Sequence, residues 1–195
     1  MYASLVTGQV RPDQIDRAAD IYRERALPLV REYQGFNGLY VLADRASGRA
    51  LTIALYETED DARRVETSGQ FGALVAALGE VLAGQPTREV REVAYHDRRG
   101  QARYARVTEA DLAPDQAARP GVDTALPEAA ARQAGYAGFL VTVDLAGGKL
   151  TGMSFWDSQE ALEASEQGYY RQAMTEAAGR TGRPRRSVYE VSVQA

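Results

Sequence analysis

The chain contains no cysteine, which removes disulfides, thiolate nucleophiles, iron–sulfur clusters and cysteine-type zinc sites from consideration. It contains one histidine, His96, so a multi-histidine metal centre is excluded as well. There is a single asparagine, Asn37, and a single tryptophan, Trp156. No apolar run approaches the roughly 20 residues of a membrane helix, and neither end carries a charged, apolar and small-residue signal pattern. The expectation is a cytoplasmic protein with no membrane partner. Cationic excess is missing too: 23 Lys and Arg face 27 Asp and Glu, a formal net charge of −4. Residues 1–98 hold 12 cationic against 15 acidic side chains and residues 99–195 hold 11 against 12, so neither half supplies the concentrated cationic face that nucleic-acid binding requires. The one local cluster, Arg180, Arg183, Arg185 and Arg186, sits in a Gly/Pro-containing stretch and reads as a solvated loop. The glycines, Gly147-Gly148 among them, fall in hairpins and at helix ends without a phosphate-loop context, so no nucleotide site is inferred.

What the chain has is an internal repeat. Shifted by 100 positions, Gly35–Glu66 superimposes without a gap on Gly135–Glu166. Gly35/Gly135, Gly38/Gly138, Val41/Val141, Asp44/Asp144 and Gly48/Gly148 are identical, while Phe36/Tyr136, Tyr56/Trp156 and Glu57/Asp157 are close in kind. Turn glycines and an aromatic at matching points imply shared backbone geometry. Pro12-Asp13-Gln14 also matches Pro114-Asp115-Gln116, Leu27-Pro28 matches Leu126-Pro127, and Val90–Val93 matches Val188–Val191. The halves are therefore residues 1–98 and 99–195, joined through the polar stretch His96 to Gln101.

Periodicity predicts the same elements in each half. A first strand spans Tyr2 to Val10 (Tyr104 to Thr108 in the second copy). A helix starts at Pro12 with Asp13 as N-cap, and Ile15, Ala18, Ala19, Tyr22, Ala26, Leu29 and Tyr33 form its apolar stripe. Leu39 to Ala43 and Leu51 to Tyr56 make a hairpin. A second helix follows Thr58 or Ser158 as cap, and a last strand spans Arg88 to Tyr95 or Arg186 to Val193. The second copy's first helix, Ala113 to Ala134, is shorter and interrupted by Pro120-Gly121. This order predicts an α+β fold of two tandem ferredoxin-like β-α-β-β-α-β units, pairing sheet to sheet as an intramolecular dimeric α/β-barrel. A cavity between the sheets is the expected ligand site. A barrel-forming homodimer is unnecessary on this plan, while homo-oligomerisation through the helices stays open.

The run Gly35-Phe36-x-Gly38, Asp44 and Gly48, followed by an aromatic, an acid and a hydroxyl residue, resembles the antibiotic-biosynthesis-monooxygenase-like family of the dimeric α/β-barrel superfamily. The second copy, ending Phe155-Trp156-Asp157-Ser158-Gln159-Glu160, is the better match. The resemblance implies the fold, and for activity it spans cofactor-free oxygenases, haem-degrading enzymes and isomerases. Haem-degrading relatives have an Asn in the first strand, a Trp in the second helix and a His about ten residues beyond it. Here the Trp position falls near Val65 and Ser165 and the His position near Val75, or Ala173 and Met174, so haem degradation is disfavoured. Quinone-forming relatives resemble this chain in an aromatic-lined pocket, with Trp156 matching the motif and Tyr56 replacing it in the first half.

The candidate ligand-binding residues are Trp156, Tyr56 and Arg106, joined by Tyr40, Tyr189 and Arg91, whose face depends on a strand register that a one-residue slip reverses. Trp156 and Tyr56 share a face with Ser154 and Ala54; if Phe155 and Leu55 pack on helices, the two aromatics point between the sheets. Arg106 lies opposite Ala105 and Val107 and needs an acidic partner or an anionic ligand; Glu190 or Glu92 is the partner expected. One functional pocket is expected, beside Trp156. Tyr169 and Tyr170 read as core and His96 as solvent-exposed. No catalytic base, metal or cofactor is assigned. Three functions remain: a cofactor-independent monooxygenase-like enzyme acting on a small aromatic or quinol-type molecule, a non-catalytic small-molecule binding or stress-related protein, and a structural pseudo-dimer.

Overall fold

The computed structural model describes residues 1–67, 69–112, 124–171 and 184–195. Part of the predicted helix Ala113 to Ala134, together with Ala173, Met174, Arg180 and Arg183, lies outside the described residues, as do the side chains of Glu66, Thr67, Gln70, Phe71, Leu74 and Tyr169. The chain forms two compact units, one of Met1–Glu92 with Glu190–Ala195 and the other of Val93–Tyr189.

In the first unit β1 (Tyr2–Gln9) leads into α1 (Ile15–Ile21), which runs through a wider turn at Tyr22–Ala26 into α2 (Leu27–Arg31). The hairpin β2 (Phe36–Ala43) and β3 (Arg49–Tyr56) follows, then α3 (Glu59–Thr67), α4 (Gly69–Leu78) and β4 (Thr87–Arg98). The second unit repeats the plan with β5 (Tyr104–Asp111), α5 (Ala125–Ala130), β6 (Tyr136–Asp144), β7 (Lys149–Trp156), α6 (Gln159–Ser165) and β8 (Arg185–Gln194). β3 lies antiparallel between β1 and β2, and β7 between β5 and β6. The division into units falls inside β4 and β8. The first six residues of β4 pair with β1, and the last residues of β8 pair with β2. The strand order β1-β3-β2-β8-β5-β7-β6-β4 is that of a closed barrel, and the α+β, tandem ferredoxin-like plan predicted from the repeat is the one observed.

The repeated residues do the same work in each copy. Gly35 and Gly135 have φ of 74° and 75°, and Gly48 and Gly148 have 75° and 61°, a region that glycine enters without steric cost. The Asp44 carboxylate accepts from the Ala46 amide at 3.0 Å, and Asp144 accepts from the Gly147 amide at 2.8 Å, so the acid that is identical in both copies closes both hairpin turns. Thr58 Oγ1 caps the Asp61 amide at 3.1 Å and Ser158 Oγ caps the Ala161 amide at 3.2 Å. Asp13, by contrast, caps nothing. The turn at Pro12–Gln14 has Arg11 in the cap position without a side-chain bond, and α1 begins only at Ile15. His96, expected to be solvent-exposed, is half-buried, because β4 runs on to Arg98, and desolvation lowers its pKa.

The faces of the sheet depart from the expectation. Leu39, Val41, Ala54 and Tyr56 pack against Ala19, Ala62 and Val65 of the helices. Tyr40 pairs with Ile53 and Leu42 with Leu51, so Tyr40 and Leu42 share the face of Leu51, Ile53 and Leu55, opposite Tyr56. The irregularity between Phe36 and Gly38 sets this register, and a slip of one residue exchanges the faces.

Gly48 and Gly148 differ in surroundings. A Cβ on Gly48 would collide with the Val10 carbonyl oxygen, whereas one on Gly148 would meet nothing nearer than Leu112 O at 3.9 Å. Gly148→Ala should cost about 1–2 kcal/mol, the price of the left-handed backbone alone. Gly48→Ala should cost more than that, and urea unfolding of the two variants measures the difference.

Candidate functional site

Within the first unit a cavity of about 90 Å³ lies between the sheet and its helices. Its walls are Val41, Ala54 and Tyr56 from the sheet, Ala18, Ala19 and Tyr22 from the first helical stretch, and Val65 and Leu78 from α3 and α4. Hydroxyl groups interrupt this apolar lining at Ser4, Tyr22, Thr52, Tyr56 and Ser192. Thr52 donates to the Tyr22 hydroxyl at 2.9 Å. Ser4 Oγ accepts from Arg88 Nε at 2.8 Å, and a second Arg88 nitrogen bonds the Ala62 carbonyl of α3. Tyr56 is 1% exposed and its ring meets Phe36 edge-on at 6.1 Å.

Both phenols are held neutral. Burial pushes Tyr22 up, against the bond from Thr52, and pushes Tyr56 up to about 12, against the charge of Arg88. Among the described residues no group of three or more His, Cys, Asp or Glu is arranged to hold a metal ion.

The second unit fills the corresponding positions differently. β5 pairs Tyr104 with Trp156 and Arg106 with Ser154, as β1 pairs Tyr2 with Tyr56 and Ser4 with Ala54. Arg106 is thus the counterpart of Ser4. It is 1% exposed, and its guanidinium donates to the Leu162 carbonyl of α6 at 2.7 Å and to Ser165 Oγ at 2.9 Å. The same group lies 4.1 Å from the centre of the Tyr170 ring and 6.0 Å from that of Trp156, cation–π distances. Its acidic neighbour is Glu166 at 3.5 Å, in place of the Glu190 or Glu92 expected; Glu190 instead pairs with Arg45 at 2.6 Å. Trp156 is fully buried, donates from its indole nitrogen to Ser154 Oγ at 3.0 Å, and meets Tyr136 edge-on at 6.0 Å. The Tyr136 hydroxyl donates to Asp97 at 3.2 Å, and burial together with that carboxylate holds the phenol well above its ordinary pKa.

Trp156, Tyr56 and Arg106 therefore share the helix-covered face of their own units, the reverse of the face on which the sequence argument placed them, because it is Tyr56 and Ala54 that pack on the helices and not Leu55. Tyr40 is buried on the other face of the first unit, 1% exposed. Tyr189 is buried in β8 at 5%. Arg91 is buried in β4 and bonds Glu89 at 2.6 Å. Of the candidates, Tyr56 lines the cavity described. Sequence reasoning missed Ser4, Thr52, Tyr22 as a polar group, and Arg88. The available signal was the first-strand alignment of Ser4 with Arg106, a small residue opposite a large one in otherwise equivalent strands.

The raised Tyr56 phenol predicts an alkaline limit. A group whose folded pKa exceeds its ordinary value of 10.0 contributes stability that is complete below that pH and is lost as pH rises through about 12. The loss over that window should be on the order of 2 kcal/mol. Urea unfolding of wild type and Tyr56→Phe across it should show a shallower decline in the variant, with some decline remaining because Tyr22 and Tyr136 are raised too.

No family model matches the chain, and no curated protein matches it. Solved structures do. A proposed monooxygenase of Fusobacterium nucleatum superimposes with a TM-score of 0.77 at 12% identity, over 99% of this chain and 93% of that one. An anthrone oxidase-like protein gives 0.65 at 18% identity, over 100% and 92%. A ferredoxin-fold protein of Listeria monocytogenes, described as related to antibiotic biosynthesis monooxygenases, gives 0.54 at 13% identity, over 98% and 94%. No helix among the described residues is long and apolar enough to cross a membrane. Strand order, the repeated turns and these full-length superpositions agree that the chain has the ferredoxin-like fold of proteins related to the antibiotic biosynthesis monooxygenases, with two copies of the unit in one polypeptide.

Proposed function

We propose that the first unit binds a small aromatic molecule of the phenol or quinol class in the cavity between sheet and helices, and oxygenates it without a cofactor. The observation that carries this reading is the cavity's chemistry: apolar walls for a ring, with neutral hydroxyls placed among them. Its 90 Å³ is less than the roughly 150 Å³ of a cavity that takes benzene. One ring, with slight yielding of the helices, is therefore the fitting size, and a polycycle is too large.

A quinol can supply the electrons itself. Quinol and one dioxygen give a hydroxyquinone and one water; two O–H bonds and one ring C–H bond are broken. One oxygen atom becomes the new ring hydroxyl, and the other leaves as water. The reaction begins more readily from the quinolate, and the positive charge of Arg88 behind Ser4 favours that anion. Positioning and exclusion of water by the apolar wall are the remaining contributions asked of the protein. The neighbours described as a proposed monooxygenase and as anthrone oxidase-like support oxygenation as the reaction type.

A second reading, a binding protein without turnover, is favoured by one observation: among the described residues no histidine or carboxylate lines the cavity, and its phenols are shifted up. Dioxygen uptake separates the two. With one-ring hydroquinones and a metal chelator present, uptake should scale with protein concentration and fall at least tenfold in Ala54→Leu, which fills the cavity. Hydroquinone binding without uptake would establish the second reading, and absence of both would refute the site.

A further inference from the structure

Tyr22 stands where the regular helix gives way. Its amide still bonds back to Ala18 and Ala19, but the turns from Tyr22 to Ala26 are wide before α2 resumes at Leu27. Wide turns of this kind occur frequently at functional sites. Here they bring a phenol to the cavity wall. The Tyr22 oxygen accepts from Thr52, and among the described residues its own hydrogen goes to no protein group. Tyr22 is half-buried, and a donor turned to a mainly apolar wall without a protein acceptor is costly where water is excluded, a cost that phenylalanine would avoid. The bond received from Thr52 also polarises the phenol and strengthens it as a donor.

We infer that Tyr22 is the specificity-determining residue of the cavity, donating a hydrogen bond to an acceptor atom on the aromatic ligand, with Thr52 orienting its hydroxyl. The inference rests on the reading of the cavity as a ligand site and narrows the ligand to one-ring molecules bearing an acceptor, such as the oxygen of a phenol or quinol. Thr52 has Gly152 as its counterpart in the second copy, so this pair is not repeated at the equivalent position; the second unit's own Thr–Tyr contact, Thr108 with Tyr170 at 2.8 Å, starts from a different strand. A site built to donate to an acceptor discriminates against the isostere lacking one.

Benzonitrile and phenylacetylene test this, being nearly identical in shape, with an acceptor nitrogen only in the first. Calorimetric titration of the full chain should give binding of both. In Tyr22→Phe, benzonitrile affinity should fall about fivefold and that of phenylacetylene should stay unchanged. The infrared nitrile stretch of bound benzonitrile should be shifted to higher frequency, as hydrogen bonding requires, in wild type and not in Tyr22→Phe. Binding of both probes with an unshifted nitrile in wild type would overturn the role of Tyr22 and leave the cavity standing as a site; this readout needs no variant to fold. An affinity unchanged by Tyr22→Phe would overturn it equally. Failure of both probes to bind wild type would overturn the cavity reading and this inference together, and binding of phenylacetylene alone would overturn the role of Tyr22.

Discussion

In each unit a helix carbonyl facing the sheet accepts a hydrogen bond from a guanidinium, and which strand supplies that guanidinium decides what space remains. In the first unit the acceptor is Ala62 O and the donor is Arg88, reaching across from β4. In the second the acceptor is Leu162 O, 100 positions on, and the donor is Arg106 of β5. A buried guanidinium must be bonded or stacked, because its desolvation is otherwise uncompensated. Arg106 meets that demand through the helix carbonyl, Ser165, Glu166 and the face of Tyr170. Arg186, the repeat counterpart of Arg88, bonds Glu166 and lies 5.7 Å from the same ring. The first unit carries Ser4 where Arg106 stands, and there the volume beside the sheet stays open as the cavity.

This difference turns a duplicated fold into two unequal halves. Shared or closely matched residues fix the backbone: the left-handed turn glycines, the hairpin aspartates and the hydroxyl caps. Three unshared positions lie beside the cavity or at its counterpart: Ser4 against Arg106, Thr52 against Gly152, Tyr56 against Trp156. Trp156 is the better match to the motif of the resembled family, yet its ring is packed against Tyr136 and its nitrogen is bonded within its own strand. Tyr56, the substitute, is the one at the wall of the cavity described.

The fold was legible because repetition exposes it. Gly35 with Gly135 and Gly48 with Gly148 mark turns whose φ values proved nearly alike, and Asp44 with Asp144 marks the bond that closes them. The site was not legible to the same degree, for two physical reasons. Alternation divides a strand into two faces but does not say which one the helices cover, so the expectation put Trp156, Tyr56 and Arg106 on the face away from the helices, whereas each lies on the helix-covered face of its own unit. The partners that decide the chemistry are also distant in sequence: Ser4 meets Arg88, and Tyr22 meets Thr52. No local pattern announces either pair. The wide turn at Tyr22 has no sequence signature within an otherwise regular apolar stripe.

The central claim is that a one-ring ligand sits between sheet and helices in the first unit. Intermolecular nuclear Overhauser effects from the ring protons of bound phenol test it most directly. The account predicts contacts to the methyl groups of Val41, Ala54 and Val65. Contacts instead to the rings of Trp156 and Tyr136, with none to those methyls, would contradict it.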